Sequence, residues 1–193
     1  MTVTGQALQG VYLIEGESFR DERGVFTQAW LPRELSAHGI CTDIAQASLS
    51  HSYRKGTLRG LHLQVPPCAQ AKTIRVTRGA IFDVAVDLRE GSPTYLQWVG
   101  MELSAGNRRM MHLAEGFAHG FQTLEDDTEV FYFVSAPYAP EHERGYRYDD
   151  PAFGIRWPIN PPTVINARDA GYVMLEGRWA SAGRARVNPH LPA

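Results

Sequence analysis

Six short, strand-like runs separated by turn signals limit the folds open to this chain. Apolar and polar side chains alternate in several of them, as in a sheet with one buried and one solvated face. Gly, Pro, Asn and Asp between the runs indicate tight turns. The runs cover residues 10–14, 72–76, 80–88, 95–103, 109–113 and 129–134. The pattern predicts an all-β barrel or sandwich of the jelly-roll type.

Helical signals are few. Residues 32–38 begin with Pro32 and precede Gly39, which predicts one short helix. Residues 150–154 are compatible with a second, single helical turn. We expect one domain over residues 1–177, followed by an exposed tail over 178–193 that is rich in Arg, Gly, Ala and Pro.

Composition excludes several classes of protein. The 193 residues carry a net charge of -2 and no basic run, so we expect no nucleic-acid partner. No apolar stretch approaches the roughly 20 residues that span a bilayer, and we expect neither a membrane partner nor a signal peptide. Cys41 and Cys68 are too few for a disulfide framework and predict free thiols in the cytoplasm.

Residues 56–79 have the spacing of a cupin metal motif. A glycine, five residues and His62 are followed by two further ligand positions, then by six residues and Gly79. Gln64 and Lys72 occupy those ligand positions, and an ammonium group has no lone pair for a cation. The segment therefore predicts a cupin-type barrel without its metal, in which His62 faces a lysine and an arginine.

Strand alternation places Gly60, His62 and Gln64 on one face and Leu61 on the other. Arg59 would then lie on the leucine side. We expect a bulge or twist near Gly60, because Arg59 needs one to reach the same site as His62.

A second histidine, His119, follows in residues 116–121, where a cupin places its other metal ligand. Two histidines cannot fill the three protein positions of an open catalytic metal site. We therefore expect no metal, although His112 or Glu115 would supply a third donor if either faced inward.

Three further residues could have either a catalytic or a purely structural role. Lys72 could stabilise an enolate or simply face solvent on an alternating strand. Tyr132 could act as a general acid or pack in the core. Asp169 could orient a histidine or lie in an ordinary loop.

The chain resembles the dTDP-4-dehydrorhamnose 3,5-epimerase family from about residue 11 to about residue 169. The matching stretches include 19–26, 56–64, 70–72, 83–89, 92–94, 115–121, 138–145, 149–151 and 154–158. This resemblance implies a cofactor-free homodimer that epimerises C3, C5 or both of a nucleoside-diphosphate 4-keto-6-deoxyhexose.

The resemblance also implies roles for individual residues. His62 would be the general base, Asp169 its orienting partner, Tyr132 the acid on the opposite face, and Lys72 the group beside the 4-keto oxygen. Expected substrate contacts are Arg59, His119, Gln46, Arg168 and, near the base, Tyr138, together with Arg23 and Phe26 from the partner subunit. Gln28 and Ser48 stand where the family usually has glutamate and asparagine, within substrate-binding neighbourhoods.

Two other functions compete with the epimerase. One is a metal-dependent cupin enzyme, and the other is a non-catalytic cupin that binds sugar nucleotides. The joint presence of His62, Lys72, Tyr132 and Asp169 favours an enzyme, because binding alone requires neither an acid nor a base. Relatives that invert C3 alone or C5 alone share the same residues.

Overall fold

The chain is built mainly from β-strands, which confirms the all-β prediction. The computed structural model describes residues 1–175. Its strands are, in chain order, β1 (Thr2–Gly5), β2 (Val11–Glu15), β3 (Ser18–Asp21), β4 (Gly24–Thr27), β5 (Gln46–Ser52), β6 (Thr57–Gln64), β7 (Lys72–Arg78), β8 (Ala80–Asp87), β9 (Trp98–Ser104), β10 (Arg109–Leu113), β11 (Phe117–Thr123), β12 (Thr128–Val134), β13 (Glu143–Gly145) and β14 (Val164–Ile165).

Short helices interrupt the strands at two places. Helix α1 (Pro32–Ser36) lies where the sequence predicts one and ends two residues earlier than expected. Residues 150–154 form a turn rather than a helix. The unpredicted helix α2 (Ala167–Ala170) is capped by Asn166, whose side chain accepts a 2.6 Å hydrogen bond from the Asp169 N–H. A 3₁₀ turn spans Pro140–His142.

Two antiparallel sheets form the barrel. The first has the spatial order β1-β2-β10-β7-β12-β5, and the second has the order β13-β6-β11-β8-β9, with β14 added alongside β6. Strands β3 and β4 pair with each other as a separate hairpin outside both sheets. This arrangement agrees with the predicted jelly roll.

The main core lies between the sheets and follows from strand alternation. On β8, Ile81 and Ala85 point into it, where they join Ile74 of the first sheet. Val84 and Val86 point to the outer face and pack in a second apolar cluster covered by the segment that carries Phe153 and Trp157. A third cluster forms where Leu35 of α1 packs against Ile14 and Met110 on the outside of the first sheet.

The regular alternation of β6 breaks at Gly60, as the sequence predicts. Leu58 and Leu61, three residues apart, both lie in the outer cluster, and the pairing of β6 with β11 shifts register at this point. Gly60 has φ +123°, and a Cβ there would lie 2.6 Å from the Cα of Gly120. A larger residue would force the two strands apart. The break brings Arg59 to the cavity side together with His62.

The described residues 1–175 contain no helix long and apolar enough to cross a membrane. The tail predicted over 178–193 lies outside the described residues.

Candidate active site

A cavity of about 420 Å³ opens among the strands of both sheets. Strands β5, β6, β7, β11 and β12 supply most of its wall, and β13, α2 and the loop after β12 complete it. Its volume falls in the range of small-molecule sites. Nine residues selected from the sequence line it: Arg59, His62, Lys72, His119, Tyr132, Gln46, Tyr138, Arg168 and Asp169.

His62 on β6 pairs with Asp169 on α2, although 107 residues separate them in sequence. Nε2 of His62 lies 2.9 Å from Oδ1 of Asp169, and Oδ2 accepts a 3.0 Å hydrogen bond from the Gly60 N–H. Burial alone would raise the pKa of Asp169, but the hydrogen bonds from His62 and Gly60 hold that pKa below its usual value. An anionic Asp169 that accepts from Nε2 leaves Nδ1 of His62 as the unprotonated nitrogen.

Lys72 opens β7 and lines the same cavity. Its Nζ donates to the backbone carbonyl of His62 at 3.3 Å. Burial lowers the pKa of Lys72 to about 8, while the negative charges of Glu143 and Asp83 act in the opposite direction. Near neutral pH this group is therefore a cation enclosed by protein.

His119 on β11 forms a second histidine–aspartate pair. Its Nε2 lies 2.7 Å from Oδ1 of Asp83, a fully buried residue on β8. Oδ2 of Asp83 has no hydrogen-bond partner among the described residues. Burial raises the pKa of Asp83, against the opposing effects of His119 and Lys72.

Tyr132 and Arg59 reach the cavity from different sheets. Tyr132 lies on β12, opposite Ile74 of β7, and packs partly against the main core. Arg59 is held by Ser52 Oγ at 3.2 Å and by the carbonyl of His51 at 3.0 Å. These contacts direct its guanidinium along the β5 side of the cavity.

Gln46, Ser48 and Tyr138 form a hydrogen-bonded set at the edge of the cavity. Nε2 of Gln46 donates to Oγ of Ser48 at 3.1 Å, and its Oε1 accepts from the Tyr138 N–H at 3.1 Å. Ser48 itself lies beside the cavity rather than among its lining residues. Its contact with the site therefore passes through Gln46.

Arg168 and Tyr138 meet at Glu143 on β13. Arg168 binds both carboxylate oxygens of Glu143, at 2.9 and 3.1 Å, and the Tyr138 hydroxyl donates to the same carboxylate at 2.9 Å. The carboxylate thus joins α2 to the loop that follows β12.

Three predicted substrate contacts lie away from the cavity. Arg23, in the turn between β3 and β4, pairs with Asp21 and is exposed. Phe26 on β4 is 67% exposed. Gln28 follows β4 and makes a backbone hydrogen bond to Glu17. Within one subunit these residues do not join the others.

Gln64, at the second ligand position of the cupin motif, and Gln70 hold a loop. Gln64 is buried and donates to the carbonyls of Cys68 and Pro137, at 2.7 and 3.2 Å, while its Oε1 accepts from the Ala139 N–H. Gln70 donates to the Pro137 carbonyl at 3.2 Å. These bonds fix the segment that carries Tyr138.

Neither extra metal donor considered in the sequence faces the cavity. His112 is buried on β10, bonds Thr73 at 2.8 Å and has its pKa lowered to about 4 by burial. Glu115 is exposed in the following turn. Over residues 1–175 no three His, Cys, Asp or Glu side chains cluster closely enough to hold a metal ion.

Sequence reasoning missed three residues of the site. Asp83 carries a signal, because its carboxylate interrupts the otherwise apolar residues 80–86. Glu143 lies in a matched stretch, in which no further signal marks it. Tyr172, whose ring lies edge-on to His62, follows α2 in a segment with no periodic pattern.

Comparison with known proteins gives a consistent result. The family model described as dTDP-4-dehydrorhamnose 3,5-epimerase matches residues 5–177. A protein of that name from Sinorhizobium fredii is 46% identical over 160 residues, which is 83% of this chain and 82% of the relative.

Solved structures of similar proteins match most of the chain. The dTDP-4-dehydrorhamnose 3,5-epimerase from Bacillus anthracis, with TDP and PPi bound, gives a TM-score of 0.87 at 40% identity over 90% of this chain and 99% of that one. A Legionella pneumophila epimerase in complex with dTDP-4-keto-L-rhamnose gives 0.84 at 36% identity over 90% and 92%. A 3'-monoepimerase from Streptomyces bikiniensis, in complex with dTDP-quinovose, gives 0.81 at 31% identity over 88% and 85%.

Proposed function

Because this chain belongs to the dTDP-4-dehydrorhamnose 3,5-epimerase family, we propose that it inverts C3, C5 or both of a dTDP-4-keto-6-deoxyhexose. The enzyme is an isomerase that acts on dTDP-sugars. The reaction needs only proton transfer next to a ketone, so the side chains of the cavity can carry it without a cofactor. A non-catalytic sugar-binding role is not favoured, since the relatives are named as epimerases.

The observation that carries the proposal is the His62–Asp169 pair beside a buried ammonium group. The C4 ketone acidifies the hydrogens on C3 and C5. Nδ1 of His62 removes one of them, the C–H electron pair moves into the enolate, and Asp169 stabilises the imidazolium that forms.

The enolate then has to be stabilised and protonated on its other face. Lys72 places a positive charge beside the C4 oxygen, in a site where burial strengthens the electrostatic interaction. Tyr132 delivers the phenol proton to carbon from the opposite face, which inverts the centre. Both side chains then recover their original protonation states by exchange with solvent.

The remaining residues would bind the rest of the substrate. We assign Arg59, His119 and Gln46 to the sugar and diphosphate, since a guanidinium binds phosphate oxygens in bidentate fashion. Arg168 and Tyr138 lie together at the edge of the cavity, and we assign the Tyr138 ring to stacking near the base.

Deuterium incorporation tests the proposed reaction. The protein is incubated in D2O with dTDP-4-dehydro-6-deoxy-D-glucose, and C3 and C5 are read by NMR. We expect deuterium at one or both carbons together with inversion. Absence of deuterium at both, across several dTDP-4-keto sugars, would refute the proposal. The carbon that exchanges also decides between 3,5-epimerisation and the C3-only activity named for one structural neighbour.

We further propose that the active form is a homodimer in which the β3–β4 hairpin reaches the partner's cavity. Phe19 and Phe26 are 51% and 67% exposed on this hairpin, and their rings lie 6.4 Å apart. A two-stranded hairpin with exposed aromatic rings gains stability when another surface covers it. Arg23 and Phe26 would then complete the nucleotide site of the other subunit.

Mixed dimers test this arrangement. One variant carries Arg23→Ala and Phe26→Ala, and the other carries His62→Ala. Light scattering should give a dimer. After the inactive variants are unfolded and refolded together in equal amounts, about a quarter of the sites should be intact by random pairing in a two-fold dimer. Activity that stays at the level of the separate variants would exclude residue exchange between subunits.

We also propose that the enzyme acts in the cytoplasm. Cys41 and Cys68 are free thiols in the structure, which agrees with a reducing compartment.

A further inference from the structure

Tyr172 lies beside the proposed base, in the segment after α2. Its ring meets the His62 ring edge-on, with centroids 6.0 Å apart and an interplanar angle of 84°. Tyr172 is half-buried and is not among the lining residues of the cavity. Its ring contact with the site is therefore with His62 itself.

Gly145 makes room for this ring. Gly145 of β13 is the register partner of His62 on β6, so a side chain at 145 would be the cross-strand neighbour of the imidazole. A Cβ placed on Gly145 would lie 1.9 Å from Cζ of Tyr172 and 2.0 Å from Cε1. The Tyr172 ring thus fills the space that the missing side chain leaves beside His62.

The segment around Tyr172 is fixed at both ends. Before it, Nη1 of Arg147 donates to the carbonyl of Ala170 at 3.0 Å. After it, the N–H of Leu175 donates to the buried carboxylate of Asp150 at 2.6 Å. Two anchors from the segment that follows β13 therefore hold the ring against His62.

We infer that Tyr172 is a positioning residue for the proposed base, and that Gly145 is required because it admits the Tyr172 ring. The inference rests on the proposed role of His62. The ring limits rotation of the imidazole and shields the His62–Asp169 hydrogen bond from water. Both effects favour the one ring orientation that aims Nδ1 at the substrate.

Kinetics of four variants test the inference. Tyr172→Ala should lower kcat by about 10-fold to 100-fold, since a small misplacement of a catalytic group has effects of this order, and KM should change by less than about 3-fold because substrate contacts remain. Tyr172→Phe keeps the ring and should stay within about 3-fold of the unmodified enzyme. The controls Val173→Ala, at an 80% exposed neighbour, and Gly5→Ala, where a Cβ meets nothing within 4 Å, should have no effect.

A double-mutant cycle separates this account from general destabilisation. Gly145→Ala alone should lower kcat about as much as Tyr172→Ala, because the new methyl group displaces the ring. The double variant Gly145→Ala/Tyr172→Ala should match Tyr172→Ala, since no ring remains to be displaced. The inference would be overturned if the losses of kcat in the two single variants multiplied in the double variant. It would also be overturned if Tyr172→Ala had a normal kcat or changed KM alone.

A measurement without substrate keeps this inference distinct from the proposed function. The His62 Nε2 proton is assigned by its loss in His62→Ala, and its exchange with water is followed by NMR. We expect at least about 10-fold faster exchange in Tyr172→Ala than in Tyr172→Phe. Equal rates would refute the shielding, whereas an unmodified enzyme that labels no keto sugar would refute the epimerase itself.

Discussion

Two histidines of the cavity, His62 and His119, each pair with a buried aspartate, yet the pKa values of the two carboxyl groups are shifted in opposite directions. Asp169 accepts hydrogen bonds from His62 and from the Gly60 N–H, and its pKa lies below the usual value. Asp83 accepts from His119 through one oxygen, leaves the other without a partner among the described residues, and has a raised pKa. Burial acts to raise the pKa of both carboxyl groups. At Asp169 the hydrogen bonds from His62 and Gly60 outweigh burial, whereas at Asp83 the interactions with His119 and Lys72 do not.

The contrast suggests different roles for the His62–Asp169 and His119–Asp83 pairs. A carboxylate held as an anion can stabilise an imidazolium, which is what a general base needs from its partner. At Asp83, where burial acts against the anion, we expect the hydrogen bond to His119 to serve mainly to hold that histidine in place. We therefore expect damage to the His62 pair to affect chemistry, and damage to the His119 pair to affect binding more.

The largest effect should follow removal of His62. His62→Ala should lower the rate of deuterium incorporation by about 10³-fold or more, because the substrate then lacks its base. Binding of dTDP, measured by calorimetry, should stay within a few-fold. His119→Ala serves as the matched variant, and we expect it to weaken binding more than His62→Ala does. Substantial exchange in His62→Ala would contradict the assignment of the base.

Replacing each aspartate by asparagine should separate the pairs next. Asp169→Asn should lower kcat by about 10²-fold to 10³-fold, because an amide stabilises neither the tautomer nor the imidazolium. Asp83→Asn should lower kcat by about 10-fold or less. The amide can still bond His119, and the substitution removes a buried carboxylate whose second oxygen has no hydrogen-bond partner among the described residues. Steady-state kinetics measure kcat for both variants. Equal losses of kcat would show that the two aspartates do not differ in their importance for the chemical step.

The pH profile should distinguish the pairs through Lys72. Its pKa of about 8 predicts that kcat/KM falls as pH rises through 8, because the ammonium group loses its proton and with it the charge that stabilises the enolate. The Asp83 carboxylate raises the pKa of Lys72. Asp83→Asn should therefore shift the alkaline limb to lower pH, while Asp169→Asn should leave the limb where it is. A shift in the reverse order would be inconsistent with this electrostatic coupling.

The smallest effect should come from the loop that Gln64 holds. Gln64→Leu removes three hydrogen bonds, to Cys68, Pro137 and Ala139. The Tyr138 segment should become more mobile, and KM for the nucleotide sugar should rise by about 3-fold to 10-fold with a smaller change in kcat. A normal KM would show that the segment is held by other contacts.

Local patterns predicted the fold well, because strand alternation and turn residues are encoded in neighbouring positions. The break at Gly60 could also be foreseen, since Arg59 and His62 had to share a face. Helix α2 could not, because its four residues leave no periodic signal and depend on the Asn166 cap. The packing of Tyr172 against His62 was equally hidden, because its cause is an absent side chain at Gly145 on a distant strand.

Contacts between residues far apart in sequence could not be predicted from local patterns either. Asp169 and His62 are 107 residues apart, so only the family resemblance joined them before the fold was known. The exposed hairpin with Arg23 and Phe26 explains why those residues do not reach the cavity of their own subunit.

The central claim is that an imidazole and a phenol act on opposite faces of one keto sugar, and Tyr132→Phe tests it most directly. The variant is incubated with dTDP-4-dehydro-6-deoxy-D-glucose in D2O, and NMR follows both labelling and configuration at C3 and C5. We predict that His62 still introduces deuterium with the original configuration, while inversion falls by at least about 10²-fold. Inversion at the unmodified rate would contradict the account.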